Sequence, residues 1–317
     1  MRIGLNIVEQ SCGPRGAAAV LRCIAFVFSV ALLLAGCAGK RAEAPPTSTA
    51  DRSRAFFDDL GREVRLPGKV DRAVSLAPSV TELVFSAGAG DRLVGVTTYC
   101  DFPPEARSIA KVGDTQTPNM ERIVALAPQV VFVSTASQLE AFTNTLEEQN
   151  IAVFVIDIKD VAELPAKIER LGEIFETVGV SRGSASDLRN RIARASLTER
   201  VRSNVPKVFV QISREPLFTI GRGSFLMPLV ERAGGESVTK SIDTAFPMLS
   251  KETASAMLPD VIILSDSEDN REPNEVFRDS PAVKSGRVYR IDPDILSRPG
   301  PRLVDALEQI REHLREK

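Results

Sequence analysis

Two stretches of this 317-residue chain share a spacing that a single folding unit has no reason to repeat. Asn119-Met120-Glu121 leads to Pro128 and then to Val-Val-Phe-Val-Ser, ending at Ser134; Ser250-Lys251-Glu252 leads to Pro259 and then to Val-Ile-Ile-Leu-Ser, ending at Ser265. In both, the Glu follows a helix-capping residue by two positions, the Pro follows the Glu by seven and the Ser by thirteen. Between the copies, Ser181–Ser203 predicts one long amphipathic helix, with Ala185, Leu188, Ile192 and Ala195 at helical spacing and no Pro. At 1.5 Å per residue it would span roughly 33 Å, about the width of a small domain. A repeated unit on either side of an unbroken helix predicts two similar lobes joined by a rod, with a cleft between them that can hold a small molecule.

Each flank alternates strand-like and helix-like runs. The first has strands at Gly61–Leu66, Ala73–Leu76, Leu93–Val96, Val130–Val133 and Ile151–Ile156. Its helices follow a Ser79-to-Glu82 capping box, Asn119, Glu140 and Val161, the last running to Val178. The second has strands at Lys207–Ile212, Val261–Leu264 and Val288–Ile291, with helices over 224–233, 251–258 and 302–315. Such alternation predicts an α/β fold with mainly parallel sheets. The expected organisation is a leader over 1–36, a flexible tether over 37–55, an N-terminal lobe over 56–180, the joining helix over 181–203 and a C-terminal lobe over 204–317.

The leader reading rests on Arg2, Arg15 and Arg22 ahead of the apolar run Ile24–Ala35, too short for a comfortable membrane span and followed by small residues. Leu34-Ala35-Gly36-Cys37 resembles the bacterial lipoprotein box, which makes Cys37 the expected lipidation site and the new N-terminus. The small, polar, Pro-containing residues that follow suit a tether. The expectation is an exported body held at the cell envelope, on its periplasmic or extracellular face, touching membrane only through its lipid anchor. With 40 Lys plus Arg against 42 Asp plus Glu, the chain has no basic excess of the kind nucleic-acid binding needs. One His, and one Cys (Cys100) beyond the leader and anchor, give neither a metal cluster nor a disulfide framework. A two-domain hydrolase or chelatase is the competing class, but there is no nucleophile elbow, no phosphate-binding loop and no general-base His in a motif.

Glu82 fits its capping box and is assigned nothing more. Glu121 and Glu252 each follow a cap residue, where an acid stabilises the first helical turn. Housekeeping of that kind explains either one alone; matched acids at symmetric tips would also suit two basic patches on a two-fold symmetric partner.

Five stretches together, VSLAPSVTELVFSAG, VGVTTYCDFPPEA, VGDTQTPNMERIVALAPQVV, FPMLSKETASAMLPDVIIL and RPGPRLVDAL, resemble the periplasmic binding proteins that serve ABC importers of vitamin B12 and iron–siderophores. The similarity covers roughly residues 60–315 and is nearest to the cobalamin binders. It implies two Rossmann-like lobes joined by a single rigid helix, a monomeric non-enzyme with no cofactor of its own, and delivery of cargo to an ABC permease dimer. In the family a Glu on each lobe docks to basic patches of the permease, which implies that role for Glu121 and Glu252. The implied ligand contacts are Tyr99, Phe218, Phe246 and Asp294, with aromatic faces against a flat macrocycle and the Asp accepting from peripheral amides. Where cobalamin binders use Trp in the first lobe, the aligned residues here are Thr115 and Ser134, which stack nothing. Cobalamin or a related corrinoid is the implied cargo; a ferric siderophore or heme is the alternative. Arg214, Arg222 and Arg298 could pair with an anionic siderophore, and Tyr99 or Met120 could be offered to a heme iron.

Overall fold

The computed structural model describes residues 53–135, 139–196 and 205–315. The leader, Cys37 and most of the expected tether lie outside them. The described chain opens with a hairpin of β1 (Arg54–Phe57) and β2 (Glu63–Leu66), so the last two residues of the stretch expected to be tether are strand. Then come β3 (Ala73–Ser75), α1 (Pro78–Ser86), β4 (Leu93–Val96), α2 (Met120–Ala125), β5 (Val130–Ser134), α3 (Leu139–Glu148), β6 (Ala152–Ile156) and α4 (Leu164–Ile174). These strands form one parallel sheet in the order β4-β3-β5-β6.

The joining helix is α5, Val178–Ser196. It starts three residues before the expected Ser181, and its expected end at 203 lies outside the described residues. The helix expected over 161–178 is divided, because Glu176 adopts a left-handed φ of 61° and α4 stops at Ile174. The resulting corner is tight: a Cβ on Gly172 of α4 would overlap Ser181 of α5. The second lobe follows with β7 (Lys207–Ser213), β8 (Phe218–Thr219), α6 (Leu226–Ala233), β9 (Glu236–Ser237), α7 (Lys251–Ser255), β10 (Val261–Ser265), α8 (Pro281–Lys284), β11 (Val288–Ile291), α9 (Pro293–Leu296) and α10 (Leu303–Arg315). Its sheet runs β11-β10-β7-β8, with β7, β10 and β11 parallel, β8 antiparallel, and β9 added beside β7. The expected α/β class with mainly parallel sheets and a single long connecting helix is what the chain folds into.

Strand alternation shows how the lobes become one body. Val130 and Phe132 of β5, Val208 and Val210 of β7, and Val261 and Ile263 of β10 face a single core that also takes in Leu188 and Ile192 of α5 and Leu303 and Leu307 of α10. The intervening Val131 and Val133, and Phe209, Ile262 and Leu264, face two separate outer cores. A parallel strand covered on both faces needs apolar residues at every position, which explains the unbroken runs in β5 and β10. Ala185, Leu188, Ile192 and Ala195 are the buried stripe of α5, with Ser181 added.

The repeat extends to backbone conformation. Asn119 Oδ1 accepts the Arg122 amide at 2.9 Å and Ser250 Oγ accepts the Thr253 amide at 3.2 Å, so both expected caps form. Both short helices are followed by a left-handed residue before the Pro, Ala127 at φ 43° and Leu258 at φ 38°. Asn119→Ala is expected to lower stability by about 1 kcal/mol, the usual cost of a lost cap; chemical denaturation of the single variant measures it.

Candidate functional site

A cavity of about 780 Å³ lies between the lobes, within the size range of small-ligand sites. The first lobe supplies the carboxyl ends of its strands: Ala77 just past β3, Ser134 at the end of β5, and Ile156 at the end of β6 with Asp157–Lys159 beyond it. Ligands of open parallel sheets bind at this end, because the connecting loops there can vary without disturbing the sheet. The first turns of α1 and the loop residue Thr115 complete that side. The second lobe supplies Arg222–Phe225, Pro228, Phe246 and the turn Ser297–Pro299.

The aromatic surface comes from two loops of the second lobe laced together. The Gly221 amide donates to Ala245 O at 2.9 Å and the Arg222 amide to Ile242 O at 2.7 Å. Gly221 is required there, since a Cβ would overlap the Thr244 carbonyl oxygen. This lacing sets Phe225 edge-on to Phe246, ring centres 6.2 Å apart at 65°. Phe246 is 43% exposed and on the wall, as a ligand-stacking residue must be. Thr115 and Phe246 stand six positions before Glu121 and Glu252 respectively, so the repeat puts equivalent loops of both lobes on the cavity.

The other residues proposed for ligand contact are placed differently. Phe218 sits half-buried in β8, bridged to Met248, and is not on the wall. Tyr99 is 61% exposed in the loop after β4 and is not on the wall either. Asp294, in the first turn of α9, is joined to Arg298 at 2.7 Å. Arg298 does line the cavity, and its other nitrogen donates to Asp101 of the first lobe at 2.7 Å. Burial alone would raise the Asp101 carboxyl, but the Arg298 hydrogen bond and charge outweigh it and hold the pKa below the ordinary aspartate value. Asp294 therefore reaches the cavity through Arg298, not directly.

Among the described residues, every cation on the wall already has a carboxylate. Arg298 has Asp101 and Asp294, Arg222 has Asp243 at 2.9 Å, and Lys159 has Asp157 at 3.7 Å. Arg214, the third Arg placed near the cleft by its sequence position, pairs with Glu272 at 3.4 Å and is not on the wall.

The Ser79–Glu82 capping box does not form. Ala77 is the N-cap of α1, Pro78 is its first residue, and Ser79 makes no capping hydrogen bond. Pro at the first helical position was the signal against it, since it makes Ala77 the cap. Glu82 points instead across the interface: Arg302 Nη2 and Nε donate to its two oxygens at 2.7 and 3.1 Å. Sequence reasoning missed this pair, as it missed Phe225, whose one signal is the Gly-Arg-Gly-Ser turn preceding it.

Glu121 and Glu252 are both exposed, in the first turns of α2 and α7. The Glu252 carboxyl is held below its ordinary value by its own backbone amide and the Ser250 hydroxyl. Among the described residues no helix is long and apolar enough to cross a membrane.

Comparison with known proteins fits this architecture. A relative in Vibrio cholerae serotype O1, a vitamin B12-binding protein, is 30% identical over 254 residues, covering 78% of this chain and 91% of its own length. An uncharacterised ABC transporter substrate-binding lipoprotein of Bacillus subtilis is 28% identical over 298 residues, 90% of this chain and 93% of its own. The crystal structure of the periplasmic vitamin B12-binding protein of Vibrio cholerae superposes with a TM-score of 0.70 at 28% identity, over 77% of this chain and 96% of that one. A periplasmic heme-binding protein from Roseiflexus shares the fold, with a TM-score of 0.67 at 22% identity over 77% of this chain and 98% of that one. The family model described as periplasmic binding protein matches residues 74–295, and the chain belongs to that family.

Proposed function

We propose that this protein is the lipid-anchored substrate-binding component of an ABC importer, carrying cobalamin or a related corrinoid in the inter-lobe cavity. It acts by binding and presenting its cargo, without catalysis. The observation that carries the ligand reading is the charge balance of the wall. A tris-anionic ferric siderophore would need uncompensated cations, and here each wall cation is matched by a carboxylate. A corrinoid rimmed by neutral amides is suited to a balanced wall that carries the Phe225–Phe246 pair against a flat face. Tyr99 and Met120, the side chains considered for a heme iron, are not on that wall. Glu121 and Glu252 are the proposed contacts to basic patches of the permease, Cys37 the proposed lipid attachment and residues 1–36 the proposed leader, all in keeping with a lipoprotein relative of the same transporter class.

Titration with cyanocobalamin, followed by Phe and Tyr fluorescence, is the test. Binding at micromolar affinity or tighter, on the order of −8 kcal/mol, is expected. Binding of a ferric tris-catecholate and not of cyanocobalamin would sink the corrinoid reading and leave the transport reading standing. Within the corrinoid reading, Phe246→Ala should weaken affinity about tenfold, whereas Phe218→Ala should change it less than about twofold.

A further inference from the structure

We propose that two two-pronged ion-pair clasps between the lobes at separate borders of the cavity, Glu82–Arg302 and Asp160–Arg232, act with the shared core, the joining helix and the single-pronged Arg298–Asp101 contact to hold the empty cavity at its binding width. The first clasp lies beside the wall residues Pro78–Val80, Leu83 and Ser297–Pro299, and joins α1 of the first lobe to the turn just before α10 of the second. Beside it, Gly300 approaches Ser79 so closely that a Cβ would come within 3.2 Å of the Ser79 Cα. The second clasp lies just past Lys159 on one lobe and on α6 of the other, where Arg232 Nε and Nη2 donate to the two oxygens of Asp160 at 2.8 and 2.7 Å. Both are two-pronged guanidinium–carboxylate contacts, which fix angle as well as distance. Asp160 Oδ1 also accepts the Ala162 amide at 2.9 Å, so the carboxylate is anchored in its own lobe while it grips the other.

The helix alone makes no such constraint. Its own ion pairs, Arg189 to Glu169 of α4 and Arg191 to Asp305 and Glu308 of α10, tie it to each lobe in turn, and none of them joins one lobe directly to the other. Two clasps on separate borders join lobe to lobe directly, beside the shared core. Their consequence is that the cavity is ready before cargo arrives, and binding needs no large closure.

The test compares Glu82→Gln/Asp160→Asn with wild type and with Arg189→Gln, which breaks a pair of the same chemistry that does not cross between lobes. Small-angle scattering and amide hydrogen exchange are measured with and without cyanocobalamin. Wild type and Arg189→Gln should give one ligand-free profile that cargo does not change. The double variant should show faster exchange at α1 and at the loop following β6, and a ligand-free radius of gyration that contracts on binding. If unclasping leaves the binding width populated in about one molecule in ten, apparent affinity falls about tenfold. Arg232→Gln, which leaves a partly exposed Asp160, gives a milder variant should the double one fold poorly, with the same exchange change on the Asp160 border alone. Unchanged exchange and scattering in both variants would overturn the proposal. The affinity arm rests on the corrinoid reading; if wild type does not bind cyanocobalamin, that reading fails while the ligand-free measurements still decide the clasps.

Discussion

Replacing Arg302 with Ala is expected to cost about 3–5 kcal/mol of folding stability near pH 8, the range found when one partner of a buried ion pair is removed. The Glu82 side chain is 2% exposed, and both its oxygens are occupied by Arg302. The guanidinium also lies over the Phe102 ring, 4.2 Å from its centre, so truncation removes a second contact. Burial pushes the Glu82 carboxyl above the ordinary value of 4.5, and Arg302 limits that rise. An acid whose pKa is raised by folding holds its proton more firmly in the folded chain than in the unfolded one. Its contribution is therefore most favourable below the unfolded pKa and is lost as pH rises through the folded value. Without Arg302 only the charge of Arg298 still opposes burial, so the penalty should be larger near pH 8 than near pH 5. Glu82→Gln/Arg302→Met, which removes both charges at similar volume, should recover most of the loss. Urea unfolding of the three chains at both pH values measures this. A loss below about 1 kcal/mol near pH 8, or one that deepens with acid, would show that Glu82 is solvated.

The second large effect is on transport and leaves folding untouched. If the proposed docking role and corrinoid cargo hold, Glu121→Arg/Glu252→Arg should cut corrinoid uptake by more than about tenfold, since like charges brought together at an interface cost several kcal/mol. Cyanocobalamin affinity should stay within about twofold, because both carboxylates stand exposed at helix starts and neither is on the cavity wall. Each single reversal should give an intermediate loss if the permease grips both lobes. The readout is accumulation of labelled cobalamin in cells or vesicles carrying the cognate importer, with titration of the purified variant alongside. Undiminished uptake by the double variant would remove docking as the role of the pair.

Much of this fold was legible because its signals are local. Val130–Val133 and Val261–Leu264 read as buried strands since a parallel strand covered on both faces leaves no polar position. Asn119 and Ser250 read as caps because the bond each makes spans three residues. The stripe of Ala185, Leu188, Ile192 and Ala195 read as the buried face of α5 for the same reason. What the sequence did not show shares the opposite property. Glu82 looked like half of a capping box, but its partner lies 220 residues away, on the far side of the interface. Asp294 pairs with Arg298, four residues on, in a geometry that only the turn between them creates. Phe218 and Phe225 were indistinguishable as apolar residues in loops. The lacing of Gly221 and Arg222 to the 242–245 segment turns Phe225 to the cavity, while β8 holds Phe218 back.

By itself the sequence determined the doubled α/β plan, the caps and strands of each copy, the rod between them and the two outward-facing glutamates, all of which follow from residue types at short, fixed spacings. Only the tertiary structure decided which carboxylate meets which guanidinium across the seam, which phenylalanines face the cavity and that each described cation on its wall is paired with a carboxylate. Those outcomes depend on where two separately folded surfaces meet, and no spacing along the chain encodes a distance between lobes.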